Sequence, residues 1–154
     1  MKVRIGVALV AALLVAADPQ DDVKKEKEKF NGTWVVRSFE SDGKTIDSLK
    51  GMTFAFDGEK FTSKVPDQKA AAGTFKLNPS KELKELDLMV NRAGGGKTTT
   101  RAIYVFDGHE LRIYASATTV TTDPRGKVTE KIGERPKAAD PRSGALITLT
   151  RENK

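Results

Sequence analysis

The residues best suited to chemistry in this chain are few and form no recognisable constellation. His109 is the only histidine and there is no cysteine, so neither a zinc site nor a nucleophile–histidine pair is indicated. Haem ligation would need His109 to stand over an apolar cavity, whereas it sits beside a predicted turn. The carboxylate pair Asp21 and Asp22 lies on the leading segment, where we expect solvent around it. We therefore predict no enzyme activity, no metal and no cofactor.

The segment Asn91 to Thr98 comes close to a phosphate-binding loop, because three glycines precede Lys97 and Thr98. Asn91 stands where such a loop has its first glycine. A strand-like run follows the segment, rather than the helix whose N-terminus would hold the phosphate. We interpret it as a strand connector and predict no nucleotide site.

Residues 1–17 have the parts of a secretory signal peptide. Two basic residues are followed by an apolar run of 12 residues, Ile5 to Ala16. That run is shorter than the roughly 20 residues that a membrane-spanning helix needs. Small residues then predict cleavage between Ala17 and Asp18. We expect an exported protein, periplasmic or extracellular, with no stable membrane span after cleavage.

The charge of the chain is mildly positive, with 27 Lys and Arg against 21 Asp and Glu. The basic residues alternate with acidic ones, as in the run Lys-Lys-Glu-Lys-Glu-Lys at 24–29. A nucleic-acid-binding protein more often gathers its basic side chains on one face, with aromatic side chains among them. We predict a surface of mixed charge and no nucleic-acid partner.

A short helix is predicted over 18–30, and short β-branched and aromatic runs separated by Gly, Asp, Asn and Pro follow it. The runs predicted as strands are 34–41, 52–56, 61–65, 73–77, 86–90, 98–106, 111–119 and 145–151. Short turns between successive strands imply antiparallel neighbours. We predict an all-β fold over 31–154, an eight-stranded antiparallel up-and-down barrel, because closure leaves no open strand edge.

Two of the predicted hairpins share an Asp-Gly pair, at 57–58 and 107–108. A two-residue turn would pair Phe54 with Phe61, and the second hairpin would pair in the same way. A three-residue bulged turn would instead put Ile103 and Val105 on the same face as Leu111. We favour the two-residue turn, and cross-strand partners share a face. The side chains then predicted to line the barrel, and a ligand cavity within it, are Phe54, Phe56, Phe61, Phe75, Tyr104, Leu111 and Ile113.

The only tryptophan, Trp34, opens the first strand as Gly32-x-Trp34, and Arg151 ends the last strand. These strands are neighbours in a closed barrel, so the guanidinium can lie over the indole in a cation–π contact worth about 0.5–2 kcal/mol. Ile147, Leu149 and Arg151 have the same parity, which puts Arg151 on the apolar face. We predict that Trp34 and Arg151 form a structural plug at one end and leave the other end open.

The apolar residues of the first strand change parity along its length. Trp34 and Val36 share one face, while Val35 and Phe39 share the other. Either a bulge near Arg37 switches the face, or the outer face is covered by the leading helix or by a partner.

Several short motifs follow one another through the chain at a characteristic spacing. They are Asn31 to Val36, Asp57 to Phe61, Gly73 to Pro79, Ile103 to Gly108, Glu134 to Pro136, Ser143-Gly144 and Leu149 to Arg151. On these motifs, residues 29–153 resemble an uncharacterised lipocalin-like family of exported proteins, found mainly in planctomycete bacteria. The resemblance implies a lipocalin-like barrel and implies no reaction. One departure is the run 118–133, which family members usually lack.

The segment 119–144 is long, polar and rich in Pro and Gly. Loops of this length are usually functional or mobile. Since nothing in the segment has the chemistry of a site, we favour a floppy extension or an extra hairpin that turns at 124–126.

Two functions from different classes remain open at this point. In the first, the barrel holds a small apolar ligand, since eight strands enclose room for just one. In the second, the aromatic side chains fill the barrel, and the protein is an interaction module of the cell envelope that uses its barrel wall, its basic surface or the segment 119–144.

Overall fold

The computed structural model describes residues 18–91, 96–122, 124–126 and 128–152. The predicted signal peptide, 1–17, lies outside these ranges. The elements are α1 (Pro19–Phe30), β1 (Gly32–Ser41), β2 (Lys44–Thr45), β3 (Thr53–Asp57), β4 (Lys60–Lys64), β5 (Ala71–Asn78), β6 (Glu85–Asn91), β7 (Lys97–Asp107), β8 (Glu110–Ala115), β9 (Thr118–Thr122), β10 (Val128–Ile132) and β11 (Ala145–Arg151), with single 3-10 turns at Asp47–Leu49 and Pro141–Ser143.

Eight strands close into an antiparallel barrel. Their order is β11-β8-β7-β6-β5-β4-β3-β1, and β11 pairs with β1 to complete the circle. Each strand therefore lies beside the next barrel strand along the chain, and the short helix α1 precedes β1 in the sequence. The predicted fold class, an eight-stranded up-and-down barrel of lipocalin-like form with an N-terminal helix, is confirmed.

The segment 119–144 contains an extra hairpin. β9 and β10 form a separate two-stranded sheet, and the chain turns between them around 124–126. The strand predicted over 111–119 is therefore wrong at its end, because β8 stops at Ala115 and β9 starts at Thr118. In the gap between β8 and β9, the carbonyl of Ala117 accepts a hydrogen bond from the backbone N–H of Gly133 at 3.0 Å. This bond closes the base of the hairpin.

A β-bulge at Arg37 switches the inward face of β1. Val36 pairs with Leu149, but the next partner of β11, Thr148, pairs with Ser38. Trp34, Val36 and Phe39 consequently all pack on the barrel core. The bulge is the first of the two predicted explanations.

The predicted pairing of the two Asp-Gly hairpins is wrong by two residues. Phe56, not Phe54, pairs with Phe61, and Phe106 pairs with Leu111. The turns are Gly58-Glu59 and Gly108-His109, and both glycines have a φ of 60° at the first central position, where a type II′ turn favours glycine. A shift of two residues preserves parity, so the predicted inward faces are those observed.

The two ends of the barrel differ. We define the closed end as the one where β1 begins at Gly32 and β11 ends at Arg151, and the mouth as the opposite end, where Ser41 pairs with Ala145. Phe30 of α1 is fully buried at the closed end. Its ring centre lies 4.9–5.7 Å from the rings of Phe56, Phe75, Tyr104 and Phe106. The helix thus contributes the central side chain of the aromatic core.

Candidate functional site

Trp34 and Arg151 hold the end of α1 on the barrel. The Arg151 guanidinium carbon lies 4.6 Å from the centre of the Trp34 ring. Arg151 donates to the carbonyls of Lys29 and Asn31 at 2.5 and 2.7 Å, and Trp34 Nε1 donates to that of Phe30 at 2.7 Å. The last carbonyls of a helix lack partners within it. This pair supplies partners for three consecutive carbonyls, which explains how it closes this end.

The glycine of the Gly32-x-Trp34 motif makes room for the arginine. Gly32 has a φ of +115°, and a Cβ there would stand 3.0 Å from Nη1 of Arg151. A side chain at this position would therefore be strained in its backbone and would crowd the guanidinium.

A buried carboxylate joins α1 to the barrel wall. Glu26 is 4% exposed and accepts hydrogen bonds from Lys29 Nζ at 2.8 Å, Lys84 Nζ at 2.7 Å and the Tyr104 hydroxyl at 3.2 Å. Burial opposes ionisation, but the two ammonium groups outweigh it and hold the pKa of Glu26 below its usual range. Burial and the neighbouring carboxylate raise the pKa of Tyr104 well above its usual value. The cluster is a structural staple with all partners satisfied.

The sequence contained a signal for this staple. Glu26 lies three residues after Val23 and four before Phe30, so it shares their helix face. A carboxylate among the docking residues of a helix needs cationic or hydroxyl partners when that face is buried. One partner, Lys29, lies on α1 itself. The other two, Tyr104 and Lys84, come from β7 and from the turn before β6, which no local pattern links to α1.

A cavity of about 410 Å³ opens at the mouth of the barrel. It lies at the opposite end from the Trp34–Arg151 pair. Its described wall consists of Phe39, Ser41, Phe54, Phe61, Ser63, Leu88, Val90, Thr100, Ala115, Ser116, Ala117, Ala145 and Ile147.

The cavity wall combines an apolar surface with a few hydroxyl groups. Phe54, Phe61, Leu88 and Ile147 are buried members of the barrel core. Ser116 is also buried, and its Oγ accepts the backbone N–H of Arg101 at 3.2 Å. None of the wall residues that the structure describes is ionisable. Such a wall favours a small, mainly apolar molecule held by a few hydrogen bonds.

Gly73 leaves the space that one aromatic wall residue occupies. It lies on β5 opposite Phe61. A Cβ at Gly73 would come within 2.8 Å of the Phe61 ring and 2.2 Å of the Met89 carbonyl oxygen. The glycine therefore lets the Phe61 ring lie close against the backbone of β5.

Two of the seven predicted ligand-lining residues lie in the cavity wall, namely Phe54 and Phe61. The other five are buried in the core with at most 3% exposure: Phe56, Phe75, Tyr104, Leu111 and Ile113. The role of the seven as ligand contacts stays a prediction. The difference arises because Phe30 fills the closed half of the barrel, which strand parity does not reveal.

Several wall residues were not among those predicted, including Leu88, Thr100 and Ile147. Each has the inward parity of its strand, since Leu88 pairs with Thr100 and Ile147 pairs with Phe39. The signal was therefore present in the alternation of the strands. Alternation does not reveal how far along the barrel axis each residue lies.

A recess of about 510 Å³ lies outside the barrel, beside α1. Its lining is Pro19, Gln20, Val23, Lys24, Lys27 and Glu59. Lys27 and Glu59 form an ion pair at 2.6 Å there, with the Glu59 side chain 77% exposed. This recess is a groove among solvated side chains, so we do not regard it as a site.

Arg135 anchors the end of the long segment to the outer barrel wall. Its guanidinium donates to the carbonyls of Leu86 and Ala102 at 3.2 and 2.6 Å, and to Asp87 Oδ1 at 2.6 Å. The outward side chains of Ile103 and Tyr114 on the same wall are only 1% and 8% exposed. The motif Glu134 to Pro136 is thus a clamp across β6 and β7.

The other candidate residues show no converging chemistry. His109 is exposed in the β7–β8 turn. Residues 92–95 of the loop-like segment lie outside the described ranges, and β7 follows at Lys97 as a strand. Within the described parts of the chain, no three His, Cys, Asp or Glu side chains are placed to hold a metal ion. No helix among the described residues has the length and apolar character needed to cross a membrane.

In comparisons with protein-family models, with curated proteins and with solved structures, the chain matches none of them. The resemblance to the lipocalin-like family therefore stays a prediction that rests on the motifs of the sequence.

Proposed function

We propose that the protein is a binding module that holds one small, mainly apolar molecule in the mouth half of its barrel. The observation that carries this proposal is the cavity of about 410 Å³. Ligand pockets in proteins usually measure about 300–1,000 Å³. Eight-stranded barrels are just wide enough for one such ligand.

The walls of the cavity are suited to binding with little rearrangement. All but Ser116 and Ala117 of the described wall residues stand on barrel strands, and each barrel strand is paired with a neighbour on both sides. The closed end is filled by Phe30 and held by Trp34 and Arg151. A pre-formed site loses little conformational entropy when a ligand enters, so more of the burial free energy appears as affinity.

The alternative is a filled barrel that acts as an interaction module of the cell envelope. The packed closed half favours it, because five of the seven predicted lining residues are buried members of the hydrophobic core there. The hollow mouth half favours ligand binding, and the two functions differ in whether that half takes up a small molecule.

Export is a second part of the proposal. Cleavage after Ala17 would leave every described element intact, since α1 begins at Pro19. The carboxylate of Asp18 accepts the backbone N–H of Gln20 at 3.0 Å and caps the helix. N-terminal sequencing of protein recovered from the cell envelope or the medium should begin at Asp18. Recovery only from the cytoplasm with residues 1–17 attached would contradict export.

Fluorescence titration with Nile red, an uncharged solvatochromic dye, tests the cavity. Ala145→Phe places a ring in the cavity, so we expect the affinity of this variant for Nile red to be at least about tenfold lower than that of the wild type. The matched control is Leu146→Phe, because residue 146 is the neighbour on the outer face of β11. Urea unfolding checks that both variants fold.

A second pair of variants repeats the test in case a variant of the first pair does not fold. Thr100→Phe narrows the cavity from β7, whereas Thr99→Phe adds the same ring outside it. Failure of the wild-type protein to bind Nile red would overturn the proposal. Equal affinity of both cavity variants and both controls would overturn it as well.

A further inference from the structure

We infer that the ligand of the mouth cavity is an uncharged amphiphile, whose apolar body enters first and whose hydrogen-bonding group stays at the mouth. Long-chain alcohols, ketones and esters belong to this class, and fatty-acid anions and alkylammonium ions do not. The inference rests on the proposed function and specifies which molecules it concerns.

The first step is the absence of charge in the described wall. The chain has 27 basic and 21 acidic residues, yet none of the thirteen described wall residues carries a charge. An ionised group moved from water to such a wall loses hydration and gains no opposite charge. The described wall therefore discriminates against carboxylates and ammonium groups alike.

The second step is the supply of hydroxyl groups. Ser41, Ser63, Thr100 and Ser116 come from β1, β4, β7 and the residue after β8, so they stand at separate points around the barrel. A hydroxyl has one proton to donate and two lone pairs to accept. Ser116 uses one lone pair for the backbone N–H of Arg101. Among the described residues no acceptor takes its proton, which is left for a ligand oxygen.

The third step is the order of these groups along the barrel axis. Ser63 lies two residues nearer the mouth than Phe61 on β4, and Ser41 lies two nearer than Phe39 on β1. The strand β11 agrees, because Ala145 pairs with Ser41 and Ile147 pairs with Phe39. On β1 and β4 the ring therefore lies two residues deeper than the hydroxyl, whereas Phe54 lies level with Ser63, its partner on β4. A ligand whose polar end points outward satisfies Ser41 and Ser63 together with the deeper rings.

Competition against bound Nile red tests the inference with three probes of equal chain length. They are 1-decanol, decanoate and decylammonium at pH 7.5. We expect 1-decanol to displace the dye at a concentration at least about ten times lower than either ion does. Equal displacement by alcohol and ions would overturn the inference.

A cation placed in the wall should shift the preference from the alcohol toward the anion. In Ser63→Lys the new ammonium faces the cavity, so decanoate should compete at least about ten times better than with the wild-type protein. Thr62→Lys is the control, because Thr62 is exposed on the outer face of β4; it should leave the preference for 1-decanol unchanged. Thr100→Lys with Thr99→Lys repeats the comparison if Ser63→Lys does not fold.

The outcomes separate the inference from the proposed function. If Nile red binds but all three probes displace it equally, the proposed binding function is supported. The inferred preference for uncharged ligands is then refuted. An unchanged preference in both folded lysine variants also contradicts the inference. A wild-type protein that binds no Nile red refutes the binding module itself.

Discussion

The guanidinium carbon of Arg151 lies 4.6 Å from the centre of the Trp34 ring, across the seam between the last strand and the first. The same two side chains donate hydrogen bonds to three successive carbonyls at the end of α1. One contact thus connects β1, β11 and the helix that fills the closed end. Neither residue lines the mouth cavity.

Trp34→Ala should lower the free energy of unfolding by about 3–5 kcal/mol, since it removes a large side chain that is 2% exposed. Trp34→Phe keeps most of the packing but leaves the Phe30 carbonyl without its donor, so about 1–3 kcal/mol is expected. Urea unfolding gives both values. Affinity for Nile red in the folded Trp34→Phe variant should remain that of the wild type. A loss below about 0.5 kcal/mol for Trp34→Ala would contradict the buried placement.

Glu26→Gln should flatten the acid side of the stability profile. The folded pKa of Glu26 is depressed by Lys29 and Lys84 despite burial. Its ionised form therefore contributes stability above the unfolded pKa, and this is lost as pH falls through the folded pKa. We expect the wild type to lose unfolding free energy below about pH 5 more steeply than the variant does.

The matched control for this effect is Glu28→Gln, on the same helix but exposed. Its profile should run parallel to that of the wild type. At pH 7 we expect Glu26→Gln to cost about 1–2 kcal/mol, because both lysines are partly solvated and keep some hydration. Parallel profiles for all three proteins would contradict the staple.

Gly73→Ala should destabilise the barrel by about 1–3 kcal/mol, as overpacking of a filled site does. The added methyl group would meet the Met89 carbonyl and the Phe61 ring, and the carbonyl belongs to the backbone of β6 and cannot turn away. Gly96→Ala is the control, because nothing lies within 4 Å of a Cβ there. Thermal unfolding of the two variants measures the difference, and equal midpoints would refute the close approach at Gly73.

Arg135→Gln should release the end of the long segment from the outer wall. The change removes the charge-assisted bonds to Asp87 and to two strand carbonyls, so we expect a loss of about 2 kcal/mol. Limited proteolysis should also cut within 119–144 faster than in the wild type. Arg142→Gln is the control, since the exposed Arg142 pairs with its neighbour Asp140. Unaltered cleavage in Arg135→Gln would contradict the clamp.

The order of the strands followed from local sequence, and so did their inward faces. Alternation places Phe54, Phe56 and Phe61 on one face whatever the exact turn, because a pairing error of two residues keeps parity. The turn itself was misassigned: glycine takes the first central position, which moves the aspartate into the strand. The neighbouring ends of β1 and β11, and with them the contact of Trp34 and Arg151, also followed from closure alone.

The cavity could not be located in the same way. Strand parity tells whether Phe75 or Leu88 faces inward, but not how far along the barrel axis the filled part extends. That extent depends on Phe30, whose ring enters from a helix outside the sheet and occupies the closed end. The same limit applies to the contacts of Glu26 with Lys84 and Tyr104, and to those of Arg135, because these partners are distant in sequence.

The sequence by itself therefore determined the barrel, its seam and its inward faces, because alternation and turns act between neighbours along the chain. Only the tertiary structure decided which half is filled and which is hollow. The physical reason is that filling is a matter of volume: the side chains that compete for the interior come from every strand and from α1, and their positions along the axis exist only once the barrel has closed.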